Sequence, residues 1–234
     1  MSNKNVPKLR FQGFSDAWEQ HKLISLGNLS RGKSKHRPRN DPKLYGGKYP
    51  FVQTGDVAKA GLFLDSYQQT YNESGIQQSK LWAKGTLLIT IAANIAETSI
   101  LEIEAAFPDS IIGFNSNQVD TIFIKNIIDN ASNTLKSKVE TSSQANLNLK
   151  KLSELNFLVP SLKEQNQIGI LFKQVETIIT LHQRKLDKLK RLKQGYLQQL
   201  FPKNDEKVPK VRFANFYEDW NLCNIKELAK VLLD

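Results

Sequence analysis

Residues 160–200 read PSLKEQNQIGILFKQVETIITLHQRKLDKLKRLKQGYLQQL, and after Pro160 no proline appears until Pro202. Ser161 with Glu164 three residues later is the pattern of a capping box, in which each side chain satisfies the other's orphan backbone N–H at a helix start. Apolar residues then fall at Ile168, Leu171, Val175, Ile178, Leu186, Leu189, Leu192, Tyr196 and Leu200, in steps of three and four with a skip at His182. That spacing is close to the 3.5-residue repeat of a coiled coil. A helix over 161–200 runs about 60 Å at roughly 1.5 Å per residue, too long to fold back within a domain of this size. Its stripe must therefore be buried against another helix, with Leu171, Val175, Ile178, Leu186, Leu189, Leu192 and Tyr196 as the expected seam. Arg184, Lys185, Lys188, Lys190, Arg191 and Lys193, opposed only by Asp187, fit a solvated outer face of that helix better than a nucleic-acid stripe.

Upstream the grammar differs. YPFVQTGDV (49–57), GTLLITIAA (85–93), TSILEIEAAF (98–107) and VDTIFIK (119–125) are short runs rich in Val, Ile, Thr and Phe, broken by Gly, Pro, Asp and Asn. These are strand signals. Residues 85–96 carry no charge between Lys84 and Glu97, which predicts a central strand buried on both faces. Ile127, Ala131, Leu135 and Val139 recur at helical spacing, so 126–140 should form an amphipathic helix on the sheet. The fold class is α+β: a mixed α/β domain followed by a long coiled-coil helix.

The opening VPKLRFQGFSDAW (6–18) returns as VPKVRFANFYEDW (208–220). Pairing the two at a constant offset matches Val6, Pro7, Lys8, Arg10, Phe11, Phe14 and Trp18 with Val208, Pro209, Lys210, Arg212, Phe213, Phe216 and Trp220. The offset is about one domain plus a connector and far exceeds a solenoid period of roughly 20–50 residues. It reads as a duplicated domain unit. The expected organisation is an opening repeat segment at 1–18, a domain at 19–160, the long helix at 161–201, and at 202–234 a linker with the truncated start of a second copy.

Composition narrows the partners. Lys+Arg 33 against Asp+Glu 23 gives a formal charge of +10 in 234 residues, which favours a polyanion, nucleic acid before membrane. The single Cys223 excludes an internal disulfide or a multi-cysteine zinc site and suits a reducing cytoplasm. No run approaches the roughly 20 apolar residues of a membrane helix, and the opening MSNKNVPKLR lacks a signal core. A soluble, cytoplasmic protein is expected.

Enzymatic signatures are missing. YGGKYP has Pro42 where a P-loop needs glycine and no Ser or Thr after Lys48. No Asn-Pro-Pro-Tyr or Asp-Pro-Pro-Tyr marks an adenine methyltransferase, and Pro108-Asp109 lacks the following acid-x-Lys of a metal-dependent nuclease. His21, His36 and His182 have no second ligand at helical spacing, so no metal site is expected. The sharper signal is RGKSKHRPRNDPK (31–43), where Arg31, Lys33, Lys35, Arg37, Arg39 and Lys43 are opposed only by Asp41. Pro38 and Pro42 should hold this backbone outside helix and sheet. Six such cations repel one another unless an anion shares them, so phosphate contact is preferred to a solvated loop. Gln53, Thr54 and Asn94 follow strands and carry groups that read base edges, although the same residues build turns; Asp56 beside Gly55 is better explained as a turn former.

Together, VPKLRFQGFSDAWEQHKLISLGNL, YPFVQTGDV, GTLLITIAANIAETSILEIEAAFPDSIIGFNSNQ, NLNLKKLSELNFLVPSLKEQNQI and LKQGYLQQLFP, in this order over nearly the whole chain, resemble the specificity (S) subunits of type I restriction-modification enzymes. The resemblance implies two target-recognition domains, each followed by a long helix, with the helices antiparallel as a spacer between the halves of a bipartite DNA target. It implies partners: methyltransferase subunits that bind S-adenosylmethionine and methylate adenine, and motor-nuclease subunits that cleave. The specificity subunit itself would be non-catalytic and hold no cofactor. Because one helix and one full domain stand here, two copies are expected to pair through the seam and read a two-fold target. A stand-alone DNA-binding coiled-coil regulator is the alternative, but it has no use for a duplicated opening segment.

Overall fold

The structure is a computed structural model and describes residues 5–38, 41–140, 147–203 and 206–225. In chain order it runs β1 (Glu19–Lys22), α1 (Leu23–Leu26), β2 (Asn28–Arg31), a 3-10 turn (Pro42–Leu44), β3 (Tyr45–Phe51) and α2 (Thr54–Lys59). There follow β4 (Phe63–Leu64), β5 (Gln69–Tyr71), α3 (Glu73–Gln77), β6 (Leu81–Trp82), β7 (Leu87–Thr90), β8 (Thr98–Leu101), β9 (Ala105–Ala106) and β10 (Ile111–Asn115). The last elements are α4 (Thr121–Glu140), α5 (Leu149–Ser153), β11 (Asn156–Val159) and α6 (Leu162–Leu200). The chain divides into two compact units between Glu176 and Thr177.

The first unit is organised by a five-stranded sheet in the order β2-β10-β7-β8-β4, with β7 at its centre. Leu87 and Ile89 pack with Ile112, Phe114 and, from α4, Phe123, Ile124 and Ile128. Leu88 points to the other face, among Val52, Val57, Trp82 and Phe107. Both faces are covered, which is why this strand reads as an unbroken apolar run. A four-stranded sheet, β5-β3-β9-β6, carries a smaller cluster in which Phe51 stacks on Tyr71 at 4.0 Å. β1 pairs antiparallel with β11, Glu19 opposite Val159 and Lys22 opposite Asn156.

Two sequence expectations need correction. VDTIFIK is not a strand but the beginning of α4, which starts at Thr121 rather than 126. The Asp120 carboxylate accepts the N–H of Phe123 at 2.7 Å and so starts the helix early, and Phe123, Ile124, Ile127, Ile128, Ala131 and Leu135 all belong to its apolar face. The side chain of Val139 lies outside the described residues. Likewise TGDV, the end of the YPFVQTGDV run, is helical in α2, because the Asp56 carboxylate accepts the Gln53 N–H at 2.9 Å. Asp56, expected as a turn former, instead lies inside the helix and caps its start.

The start of α6 is fastened to the domain by three of its residues. Glu164, 1% exposed, receives a two-pronged contact from Arg10, Nε to Oε1 at 2.9 Å and Nη2 to Oε2 at 2.7 Å. Gln165 accepts the Asp120 N–H at 3.0 Å and donates to the Pro160 carbonyl at 2.9 Å. Gly169 lets the helix approach Asp120 so closely that a Cβ there would stand 2.5 Å from its carboxylate. Among the described residues no helix is long and apolar enough to cross a membrane.

Burial raises the Asp120 carboxyl above its ordinary value, with the bond from the Phe123 N–H pulling the other way. The folded state then holds this proton more tightly than the unfolded chain, so the contribution is favourable at low pH and is lost as pH rises through the folded value. Asp120→Asn keeps an oxygen for the cap and removes that loss. Thermal melts across pH should show the variant gaining on the wild type as pH rises from about 4, the ordinary carboxylate range; a constant difference would contradict the assignment.

Candidate nucleic-acid interface

Beyond Arg31, the last residue of β2, the chain stays extended, with Gly32 N–H on the Ile111 carbonyl at 2.9 Å and Lys33 N–H on the Phe107 carbonyl at 3.0 Å. Period-two alternation follows. Arg31, Lys33, Lys35 and Arg37 are exposed, whereas Gly32 and Ser34 are buried. Gly32 is obligatory: a Cβ would lie 2.3 Å from the Pro108 carbonyl oxygen and 2.4 Å from the Phe107 ring. From behind, Ser79 Oγ donates to the Lys33 carbonyl at 2.6 Å and the His36 N–H donates to Gln78 Oε1 at 2.9 Å.

The expectation that prolines hold this stretch outside regular structure therefore applies only in part, since Arg31 lies within a strand and Pro42 opens the 3-10 turn. Asp41 pins that turn, taking the Lys43 N–H at 3.0 Å and facing His36 Nε2 at 2.9 Å. The same two contacts, the Lys43 N–H first, hold its carboxyl below the ordinary value. Lys43 itself is exposed, and Arg39 lies outside the described residues. Arg37 bends back, Nη1 donating to the carbonyls of Ser34 and His36 at 2.8 Å. The cations thus stand on a braced edge.

Ser34 turns inward and helps line a cleft of about 310 Å³ with Tyr45, Phe51, Gln53, Thr54, Gln69, Pro108 and Ser110. Gln53 Nε2 donates to Gln69 Oε1, so two amides face the opening as a pair. Asn94 joins Thr54 through a long contact of 3.5 Å from Nδ2 to its carbonyl. The Asn94 loop is bent by left-handed backbone at Ala93 and Ala96, φ 60° and 59°, at a cost of about 1–2 kcal/mol per residue. Thr90 Oγ1 holds it, donating to the Asn94 carbonyl and accepting the Glu97 N–H at 3.0 Å. Burial, then the neighbouring Tyr71, pushes the Tyr45 phenol up to about 12.

The fold therefore brings Gln53, Thr54 and Asn94 together and sets the basic edge beside them through Ser34. Gln69 was missed, because a glutamine opening a three-residue strand has no signature until its partner is known. The cleft lining carries amides, hydroxyls and aromatic edges and no carboxylate. Such a surface can exchange hydrogen bonds with base edges without repelling phosphate. Among the described residues no group of three His, Cys, Asp or Glu is placed to hold a metal.

The family model of the type I restriction modification DNA specificity domain matches residues 15–191. The chain belongs to this family. It is a specificity component, in agreement with the non-catalytic reading. Its fold is similar to that of the HsdS subunit from Thermoanaerobacter tengcongensis, with a TM-score of 0.55 and 18% identity over 84% of this chain and 47% of that one. A chain from a structure on complex assembly and conformational transition of the type I R-M system gives 0.59 and 17%, over 81% and 48%. The type I S subunit from M. genitalium gives 0.56 and 17%, over 79% and 46%. The chain spans about half the length of these relatives.

On α6 every expected seam residue is open: Leu171, Val175, Ile178, Leu186, Leu189, Leu192 and Tyr196 are between 43% and 56% exposed. Ile179 and Leu181, which the seam did not include, are equally exposed and widen the apolar surface around the skip at His182.

Gly32→Ala tests the bracing of the basic edge. Forcing a methyl against the Pro108 carbonyl should cost about 1–3 kcal/mol, the usual range for overpacking a close-packed site, read as a lower urea midpoint with an unchanged slope.

Proposed function

We propose that this chain supplies the address of a type I restriction-modification complex: it reads one half of a bipartite DNA target, and partner subunits perform the chemistry. Methyltransferase subunits carrying S-adenosylmethionine would methylate adenine, and motor-nuclease subunits would cleave. The observation that carries this reading is the braced row Arg31, Lys33, Lys35 and Arg37 flush with the amide-lined cleft, in a chain of the specificity family. In this reading 19–160 recognise DNA, 161–201 measure the distance between half-sites, and 202–234 begin a second unit. The row, with Lys43 and Arg39, neutralises phosphates, and each such contact steepens the salt dependence by roughly 0.9 in log–log slope. Gln53, Gln69 and Asn94 present the donor and acceptor pair that matches the major-groove edge of adenine.

The open face of α6 is covered, in this proposal, by α6 of a second copy running antiparallel. The continuous apolar surface supports this, since a helix with such a face is stable in water only when another covers it. Two identical domains related by a two-fold axis then read a symmetric target.

Co-expression with a type I methyltransferase subunit, followed by mapping of methylated adenines in host DNA, should give a symmetric bipartite motif; an assembled complex that methylates no defined motif would refute the function. In that complex, Lys35→Ala should weaken binding across all sequences and flatten the salt slope by about 1, while Gln69→Ala should relax preference at one base position, worth about 1–3 kcal/mol, with the slope unchanged. Light scattering of the chain alone should return the mass of two copies.

A further inference from the structure

The segment after α6 is a copy, in shape as well as in letters, of the segment that opens the chain. Trp18 N–H donates to the Asn5 carbonyl at 2.9 Å, and Trp220 N–H donates to the Lys207 carbonyl at 2.8 Å, at the same offset that pairs Val6 with Val208. Inside each loop the matching residue is left-handed: Gly13 at φ 94° and Asn215 at φ 74°. Asparagine is one of the few residues with a side chain that tolerates this region. Each tryptophan meets a phenylalanine edge to face at 5.8 Å, Trp18 on Phe123 and Trp220 on Phe201. Residues 5–18 and 207–220 are two copies of one clasp.

They differ in what they grip. The first clasp sits in a socket, with Arg10 forked onto buried Glu164 and Trp18 on Phe123. In the second, Arg212 Nη2 donates to the Glu218 carbonyl of its own loop at 2.6 Å. The loop is tied to its helix by the Val211 N–H on the Gln199 carbonyl, while Phe213 and Phe216 remain 76% and 65% exposed. With Leu200, Phe201 and Trp220 these phenylalanines line an apolar groove of about 320 Å³. Among the described residues the second clasp has the gripping residues and no carboxylate fork of the kind that holds the first.

We propose that the clasp of residues 207–220 docks into the socket of a second copy of this chain, at Glu164 and Phe123, in exchange with that copy's own residues 5–18. The inference rests on the antiparallel pairing of α6 proposed above, which sets the end of one helix beside the start of the other. The sequence specifies the occupant. The Val, Pro, Lys, Arg, Phe, Phe and Trp of the first clasp recur in order in the second, so a socket that fits one offers the other the same carboxylate and the same aromatic edge. On docking, Arg212 trades a neutral carbonyl for a carboxylate that takes both prongs of its guanidinium. The resident clasp competes intramolecularly at high effective concentration, so the exchanged form is the minor one until Arg10 is weakened.

Replacing Phe213 with p-benzoylphenylalanine in the full chain tests this at an exposed position. Irradiation should give covalent dimers on denaturing gels, with the cross-link mapping to residues 120–124 or 161–168 of the other copy. Arg10→Ala should raise the yield several-fold, and Arg212→Ala, in an otherwise wild-type background, should reduce it to background. If light scattering gives two copies but the adducts stay within residues 195–225 or form no dimer, the clasp exchange is wrong and the helix pairing stands. A mass of one copy overturns both.

Discussion

A buried carboxylate, Glu164, sits in the first turns of α6 and is balanced by one guanidinium from the far end of the chain's first unit. A charge so enclosed is tolerable only where its partner supplies both opposite charge and matched hydrogen bonds, as the two-pronged Arg10 contact does. The contact joins residues 10 and 164, so this ion pair ties the opening segment to the start of α6. Gln165 and Gly169 complete the joint by satisfying Asp120 and by letting the helix come close. The first turns of α6 therefore belong to the first unit in packing as well as in sequence.

The same division of labour governs the basic edge. Cations on a free loop would lose considerable entropy on meeting DNA. Here the backbone is bonded to Ile111 and Phe107 on one side and to Ser79 and Gln78 on the other, so much of that ordering is complete before any ligand arrives. The left-handed alanines of the Asn94 loop store backbone strain that the bonds of Thr90 to the Asn94 carbonyl and the Glu97 N–H hold in place.

Much of this architecture could be read from residues alone. The uncharged run at 85–96 announced a buried central strand, of which Leu87–Thr90 is strand and the rest turns into the Asn94 loop, and α6 was bounded to within about a residue. What could not be read were choices between two local uses of one side chain. Glu164 looked like half of a capping box and serves a long-range ion pair. VDTIFIK has a strand's composition, and a single Asp120 cap turned it into helix. Gln69 became visible only when folding placed it against Gln53, sixteen positions away. Local pattern records propensity, and such decisions are made by tertiary partners.

The pairing of β1 with β11 has a consequence for heredity. Chain entry and exit of the sheet-bearing part lie on neighbouring strands, spaced about 4.8 Å apart. What lies between Lys22 and Asn156 can therefore be exchanged without moving the strand ends, provided that the positions of Asp120 and Phe123, which meet Gln165 and Trp18 at the root of α6, are kept. Recombination at the two short junctions would have to carry these two positions with it.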